Sequence, residues 1–117
     1  MSKPICKTDS DGTKRWLLNG KLHREDGPAV EYADGAKHWF LNGRRHRKDG
    51  PAIEYPNGDK YWHLKGKLHR EDGPAIEDTD GYKEWYLNGK PSSKEEWFER
   101  LTEEQQEKAL FISEVMV

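Results

Sequence analysis

The 117-residue sequence balances 20 basic against 22 acidic side chains, a formal net charge of −2, and is 36% charged but only 32% hydrophobic. Leu, Ile, Val and Phe occupy just 19 positions, too few for an ordinary two-layer core, so one small domain is the ceiling and five Trp and five Tyr must supply much of the apolar contact. No apolar run approaches the roughly 20 residues that span a bilayer. The start Met1-Ser2-Lys3-Pro4 lacks the apolar stretch of a secretion signal, and the single Cys6 excludes an internal disulfide or a zinc knuckle. The expectation is a soluble, cytoplasmic protein with no membrane partner.

The chain repeats itself. Trp16, Trp39, Trp62 and Trp85 recur every 23 residues, and the same period carries Asp11-Gly12, Asp34-Gly35, Asn57-Gly58 and Asp80-Gly81, then Lys14, Lys37, Lys60 and Lys83, then Leu18, Leu41, Leu64 and Leu87. A second block, His-Arg-x-Asp-Gly-Pro-Ala-[Val/Ile]-Glu, begins at His23, His46 and His69. In the fourth unit Pro91-Ser92-Ser93-Lys94 replaces it and the array stops.

Each unit reads as a β-hairpin. In the second, Ala29 to Ala33 and Ala36 to Leu41 flank Asp34-Gly35, and Asp-Gly between alternating segments is a strong hairpin signal. If those two residues form the whole loop, Tyr32 faces Lys37, Glu31 faces His38 and Val30 faces Trp39. One face then carries Val30, Tyr32, Lys37, Trp39 and Leu41 and is nearly identical in every unit. The other carries Ala29, Glu31, His38 and Phe40, and its residues change: Arg15, His38, Tyr61 and Glu84 at one position, Leu17, Phe40, His63 and Tyr86 at the next.

A position repeated unchanged within one chain is most simply explained by contact with its own copies, which leaves the varied face for a partner. On the uniform face, successive Trp residues should lie roughly 10 Å apart, with Val30, Ile53 and Ile76 filling the gaps and Lys stems crossing the rings. Asp9 and Asp78 replace tyrosine in the outer hairpins, opposite Lys14 and Lys83, as polar caps. The connection Asn42 to Pro51 is either an irregular link, or its Asn-Gly opens a second hairpin that makes Lys21 to His23 a short third strand. The link is preferred here because two strands per unit keep all copies in one orientation. Pro28, Pro51 and Pro74 mark strand starts.

Residues 92–117 change character and form a C-terminal helical cap on the repeat array of residues 1–91. Ser92 and Ser93 precede Glu95 and Glu96 by three residues, Trp97, Phe98 and Leu101 follow at helical spacing, and Thr102 with Gln105 offers another cap. Trp97 is expected to cover the end of the sheet, where an open edge invites pairing with other chains. Leu110, Phe111, Ile112, Val115 and Met116 exceed what a cap needs and are candidates for self-association into a homodimer.

The unit resembles the MORN repeat, whose 23-residue period, aromatic strand and Asn-Gly link correspond to Trp39-Phe40-Leu41-Asn42-Gly43-Arg44-Arg45-His46. It is more similar still to the WYxNGxxHRxDGPA repeats of bacteriophage and giant-virus proteins. The resemblance covers Asp11 to about Lys90, and it departs from standard MORN at Arg24, Arg47 and Arg70 and the Asp-Gly-Pro that follows each. It implies a mainly β fold, an elongated single-layer antiparallel sheet of four hairpin repeats, used for binding and without shared catalytic residues. The kinship with phage proteins implies an accessory factor acting on a host protein, an inhibitor of a defence system being its most concrete form and an antitoxin-like partner a weaker one.

Chemistry finds little foothold. One His and one Asp per unit, with units roughly 10 Å apart, are too few to ligate a metal. The Asp is instead expected to hold the turn backbone while Arg or His pairs with it. Glu77 opposite Glu84 is a single pair of carboxylates on a solvated surface, and no nucleophile elbow or phosphate loop is present, so neither an enzyme nor a cofactor is expected. Single-stranded nucleic acid is the rival partner, through Arg44, Arg45, Arg47 and Lys48 with weaker copies at Lys21, Arg24, Lys67 and Arg70. Protein binding leads, because aromatic residues and Arg carry interface energy. The candidate partner residues are His38, Phe40, Tyr61, His63 and Tyr86, with Arg44, Arg45 and Arg47 at the rim.

Overall fold

The structure, a computed structural model, describes residues 3–111. It is mainly β and elongated, 46 × 34 × 22 Å, with two short helices at the C-terminal end. The edge strand β1 (Ile5–Thr8) pairs with β2 (Lys14–Leu18), and the sheet then runs through β4 (Val30–Glu31), β5 (Lys37–His38), β8 (Ile53–Glu54), β9 (Lys60–Tyr61), β12 (Ile76–Glu77) and β13 (Lys83–Leu87), every pair antiparallel.

The loop between paired strands holds three residues, not two. Tyr32 donates to the Ala36 carbonyl at 2.9 Å and Gly35 to the Tyr32 carbonyl at 3.0 Å, so Ala33-Asp34-Gly35 is the loop. Gly35 has φ +98° while Asp34 stays at negative φ and accepts from the Ala36 amide at 2.9 Å. This is a type I turn closed by a left-handed bulge residue, and glycine is the residue that tolerates that bulge. The other three units repeat it at Gly12, Gly58 and Gly81.

One extra loop residue shifts the register by one, and a shift of one exchanges faces. Val30 pairs with His38 and Glu31 with Lys37, in place of the expected Trp39 and His38. Tyr32, Val30, Ile53 and Ile76 therefore do not belong to the tryptophan side. Across the sheet one row reads Arg15, Val30, His38, Ile53, Tyr61, Ile76, Glu84, and its neighbour on the opposite face reads Lys14, Glu31, Lys37, Glu54, Lys60, Glu77, Lys83, alternating in sign at every step. Glu77 thus meets Lys60 and Lys83 and not Glu84, and Lys14 and Lys83 lie opposite Thr8 and Glu77 and not Asp9 and Asp78.

The gaps between indoles are filled by alanine. Continued by one residue, the same register places Ala29 between Trp16 and Trp39, and Ala29, Ala52 and Ala75 are fully buried. Trp16 and Trp39 donate backbone amides to Ala29 and Ala52.

The preferred reading of the Asn-Gly stretch as an irregular link is also corrected: it is a second hairpin. Asn19, Asn42 and Asn88 have φ near +52° and are followed by left-handed glycines, the two-residue turn whose twist matches paired strands. These hairpins join β2 to β3 (Lys21–Leu22), β6 (Phe40–Leu41) to β7 (Arg44–Arg45), β10 (His63–Leu64) to β11 (Lys67–Leu68), and β13 to β14 (Lys90–Ser92). Backbone bonds stitch this second row together, Arg24 to Phe40 O at 3.1 Å and Gly43 to Leu22 O at 2.8 Å, with the same pattern one and two units on.

At the C-terminal end, Ser93 caps α1 (Lys94–Glu99) by accepting from the Glu96 amide, and Thr102 with Gln105 forms a full capping box on α2 (Glu103–Ala109). Trp97 is wholly buried, packs on Trp85 at 6.3 Å between ring centres, and donates its indole N–H to the Arg70 carbonyl at 2.8 Å. With Leu101 and Ala109 it makes a hydrophobic core cluster, against which Trp85, Leu87 and Phe98 pack. Leu110 and Phe111 are exposed, whereas Ile112, Val115 and Met116 lie outside the described residues.

Lys65 stands where the other units have asparagine and holds φ +51°, a conformation costly for a residue with a long side chain. Lys65→Asn is expected to stabilise the fold by about 0.5–1 kcal/mol, a rise in Tm of a few degrees by calorimetry. An unchanged or lowered Tm would contradict the turn assignment.

Candidate functional site

On the tryptophan face each link folds back over its own unit. The guanidinium carbons of Arg24, Arg47 and Arg70 sit 3.8–3.9 Å above the rings of Trp16, Trp39 and Trp62. From there Nη1 donates to the carbonyls of Pro28, Pro51 and Pro74, each at 3.1 Å, and to the carboxylates of Glu31, Glu54 and Glu77 at 2.8–3.3 Å. Nε pairs with Asp26, Asp49 and Asp72. The expected role of Asp as the Arg partner is therefore what the structure displays, but arginine replaces lysine as the cation on the rings. The glycine of each link leaves room for the stack: a Cβ on Gly50 would lie 2.7 Å from the Arg47 guanidinium carbon, so the arginine would have to move on its ring to admit one. In the fourth unit, which lacks this arginine, Trp97 covers Trp85.

An exposed salt bridge contributes little, typically under 1 kcal/mol. These pairs differ because the guanidinium is stacked, half-buried and fixed by bonds on several sides, a geometry lysine cannot reproduce. Arg47→Lys is expected to destabilise the protein by about 1–2 kcal/mol in urea unfolding, nearly as much as Arg47→Ala. Equal stability of the lysine variant would show that charge alone suffices.

The histidines of the links tie one unit to the next. Nδ1 of His23, His46 and His69 accepts the backbone amide of Asn42, Lys65 and Asn88, each at 2.9 Å, so this nitrogen must be unprotonated. Between successive links run open grooves floored by Trp and Leu. One of about 580 Å³ has Trp39 and Leu41 below and Arg24, Asp26, His46 and Arg47 on its walls.

The opposite face is aromatic. Tyr32 and Tyr55 meet His38 edge-on at 5.0 and 5.9 Å, His38 stacks on Phe40 at 6.3 Å, and Tyr55 meets Tyr61 at 6.0 Å. Arg45 lies opposite Phe40 with its guanidinium 5.6 Å from the ring. Tyr82 and Tyr86 both donate to the Glu84 carboxylate. Tyr32, Tyr55 and Tyr82 are exposed, while His38 and His63 are buried beneath the surface.

Of the partner residues expected from sequence, His38, Phe40, Arg45, Tyr61, His63 and Tyr86 share this face. Arg47 does not: it is committed to Trp39 and Glu54 on the other side. Arg44 does not either, since it pairs with Leu41 and runs its stem over Gly66. Tyr32, Tyr55 and Tyr82 were missed, the first two because the assumed two-residue loop turned them to the wrong side. A signal was present in Glu31, Glu54 and Glu77, each seven residues after a link arginine in the three units that have one.

Among the described residues no group of three or more His, Cys, Asp or Glu could hold a metal ion, and no helix is long and apolar enough to cross a membrane. No protein-family profile, curated protein or solved structure matches the chain.

Burial holds the His63 pKa down to about 4, with the nearby Arg45 charge adding to the effect. Desolvation likewise lowers His38, helped by Arg45, and His46, helped by Lys48 and Lys65. A base whose pKa is lowered by folding binds more protons when unfolded, so stability is full above about pH 6.5 and declines as pH falls toward 4. For His63 the loss is on the order of 3 kcal/mol at full protonation. Urea midpoints measured from pH 8 to 4 should be level at first and then fall, with a shallower fall in His63→Leu. A flat profile would contradict the buried neutral imidazole.

Proposed function

We propose that this chain is a non-enzymatic protein-binding repeat module whose partner surface is the aromatic face built on His38, Phe40, Arg45, Tyr61, His63 and Tyr86 and flanked by Tyr32, Tyr55 and Tyr82. One observation carries the reading. The repeated Arg, Trp, Glu and His side chains are used in holding the units together, Arg on Trp and Glu, His on the neighbouring turn, whereas the opposite face changes from unit to unit outside its Val30 and Ile53 row and exposes tyrosines beside an Arg–Phe pair. Tyr gives large contact area at low entropic cost, and Tyr and Arg are enriched among the residues that dominate interface energetics. The resemblance to phage and giant-virus repeats extends the proposal to an accessory factor that occupies a host protein, with inhibition of a defence protein as its specific form.

A second reading rests on a different observation. Lys21, Arg44, Lys67 and Lys90 stand in one exposed file at the Asn-Gly hairpins, and the first three lay their stems over the turn glycine of the following unit. Units roughly 10 Å apart would set these charges along a polyanion such as single-stranded nucleic acid.

Capture from bacterial lysate with and without nuclease separates the two. The proposal expects a nuclease-insensitive protein whose recovery falls at least tenfold with Tyr61→Ala or Arg45→Glu and is unchanged by Lys21→Glu and Lys67→Glu. Recovery of nucleic acid alone, lost with the lysine variants and weakening steeply with salt, would overturn it.

A further inference from the structure

The two ends of the array are finished differently. At the C-terminal end α1 and the buried Trp97 close over the last unit. At the other end β1 pairs with β2 alone, no strand among the described residues lies on its outer side, and all four of its residues are exposed, Ile5 at 66%. An open strand edge is a template for another strand.

The backbone register says which groups that edge offers. Asp9 donates to the Thr13 carbonyl at 2.8 Å and Trp16 donates away from β1, to the Ala29 carbonyl at 2.8 Å. In an antiparallel ladder bonded pairs alternate, so Ile5–Leu17 and Lys7–Arg15 are the inward-bonded pairs and Cys6–Trp16 and Thr8–Lys14 are not. The amides and carbonyls of Cys6 and Thr8 therefore point outward.

We propose that β1 is a self-recognition edge, which pairs antiparallel with β1 of a second copy about a two-fold axis at Cys6 and so joins two arrays into one continuous sheet. In that register the two Cys6 residues exchange both backbone bonds. Each Thr8 amide meets the carbonyl of Pro4 of the other copy; proline offers no N–H in return, so each of these outer pairs makes one bond where the central Cys6 pair makes two, and the Thr8 carbonyl stays with water at the end of the ladder. Side chains match as well: Ile5 lies across from Lys7, sparing the two lysines a direct encounter, and Lys3 lies across from Asp9. Registers centred on Lys7 would set like charges face to face. The proposal does not depend on the partner surface described above, because the strand edge and the aromatic face are different parts of the molecule.

The test uses the full chain. Light scattering after size exclusion should show the mass doubling as concentration rises. A short bifunctional maleimide should cross-link the dimer through Cys6, since Cys6 is exposed and bonded partners in such a ladder have Cα atoms about 5.5 Å apart with side chains on the same face. Thr8→Pro, which removes only an outward amide, should abolish both the doubling and the cross-link while circular dichroism stays unchanged. Lys3→Glu, which opposes Asp9 with a like charge at an exposed position, should weaken association several-fold and decides the matter if Thr8→Pro fails to fold. A monomer at every concentration would overturn the proposal, as would a dimer indifferent to these variants or one lost only when the chain is ended at Glu107.

Discussion

An arginine laid flat on a tryptophan is the contact on which this molecule depends. With so few aliphatic residues, the sheet cannot be held by a core in the usual sense: the described hydrophobic cluster sits at one end around Trp97, and along the array the buried aliphatic side chains are small or isolated, as at Ala29, Val30, Ala52 and Ile53. Along the array the work passes to three copies of the same assembly, in which a link arginine covers an indole and reaches the carboxylate seven residues on. Both stacking and charge-assisted bonding gain from partial burial, and the arginine side chains are only 11–25% exposed. The rest of the unit is shaped around that contact: a glycine that leaves room for the guanidinium, a proline whose carbonyl accepts from it, and an alanine small enough to lie between indoles.

The same arrangement accounts for how units adhere. Each link histidine accepts the first turn amide of the next unit, and each second-row hairpin is bonded to its neighbour's backbone, so every unit needs the one before it or after it. A stack of this kind is stabilised by nearest-neighbour interfaces and must be finished at its ends. Trp97 finishes one end by taking, on Trp85, the place that arginine holds on the other three indoles. The bonds that tie link to unit are thereby concentrated on one face, while the opposite face keeps a buried inner row, Val30, His38, Ile53 and His63, beneath exposed tyrosines. That division is why substitution from unit to unit is tolerated at His38, Tyr61 and Glu84 but absent at Trp39, Trp62 and Trp85.

Much of this was legible in the residues. The period, the paired strands, the proline-marked strand starts, both helix caps and the covering role of Trp97 follow from spacing and local chemistry. What was not legible is the loop count. Asp34-Gly35 fits a two-residue turn and a three-residue turn equally well by composition, and the difference lies in whether Asp34 itself takes positive φ. It does not, and so Tyr32 and Tyr55 move to the partner-facing side and Glu31 and Glu54 to the arginine side. The Asn-Gly hairpins were obscured for another reason: Lys65-Gly66 breaks the pattern in one unit, and the strands they join are two or three residues long apart from the shared β2 and β13. For the site, six of eight expected residues share one face; Arg44 and Arg47 were grouped with them by proximity in sequence, although alternation along β7 sets Arg44 opposite to Arg45 and the stack on Trp39 claims Arg47.

The most direct test of the central contact is a double-mutant cycle on Arg47→Ala and Trp39→Leu, read by urea unfolding. The stacked geometry predicts that the two losses are not additive, with a coupling of about 1 kcal/mol or more between the side chains. Additive losses within about 0.3 kcal/mol would mean that the guanidinium gains nothing from the ring beneath it. The account of how the units are held would then be wrong.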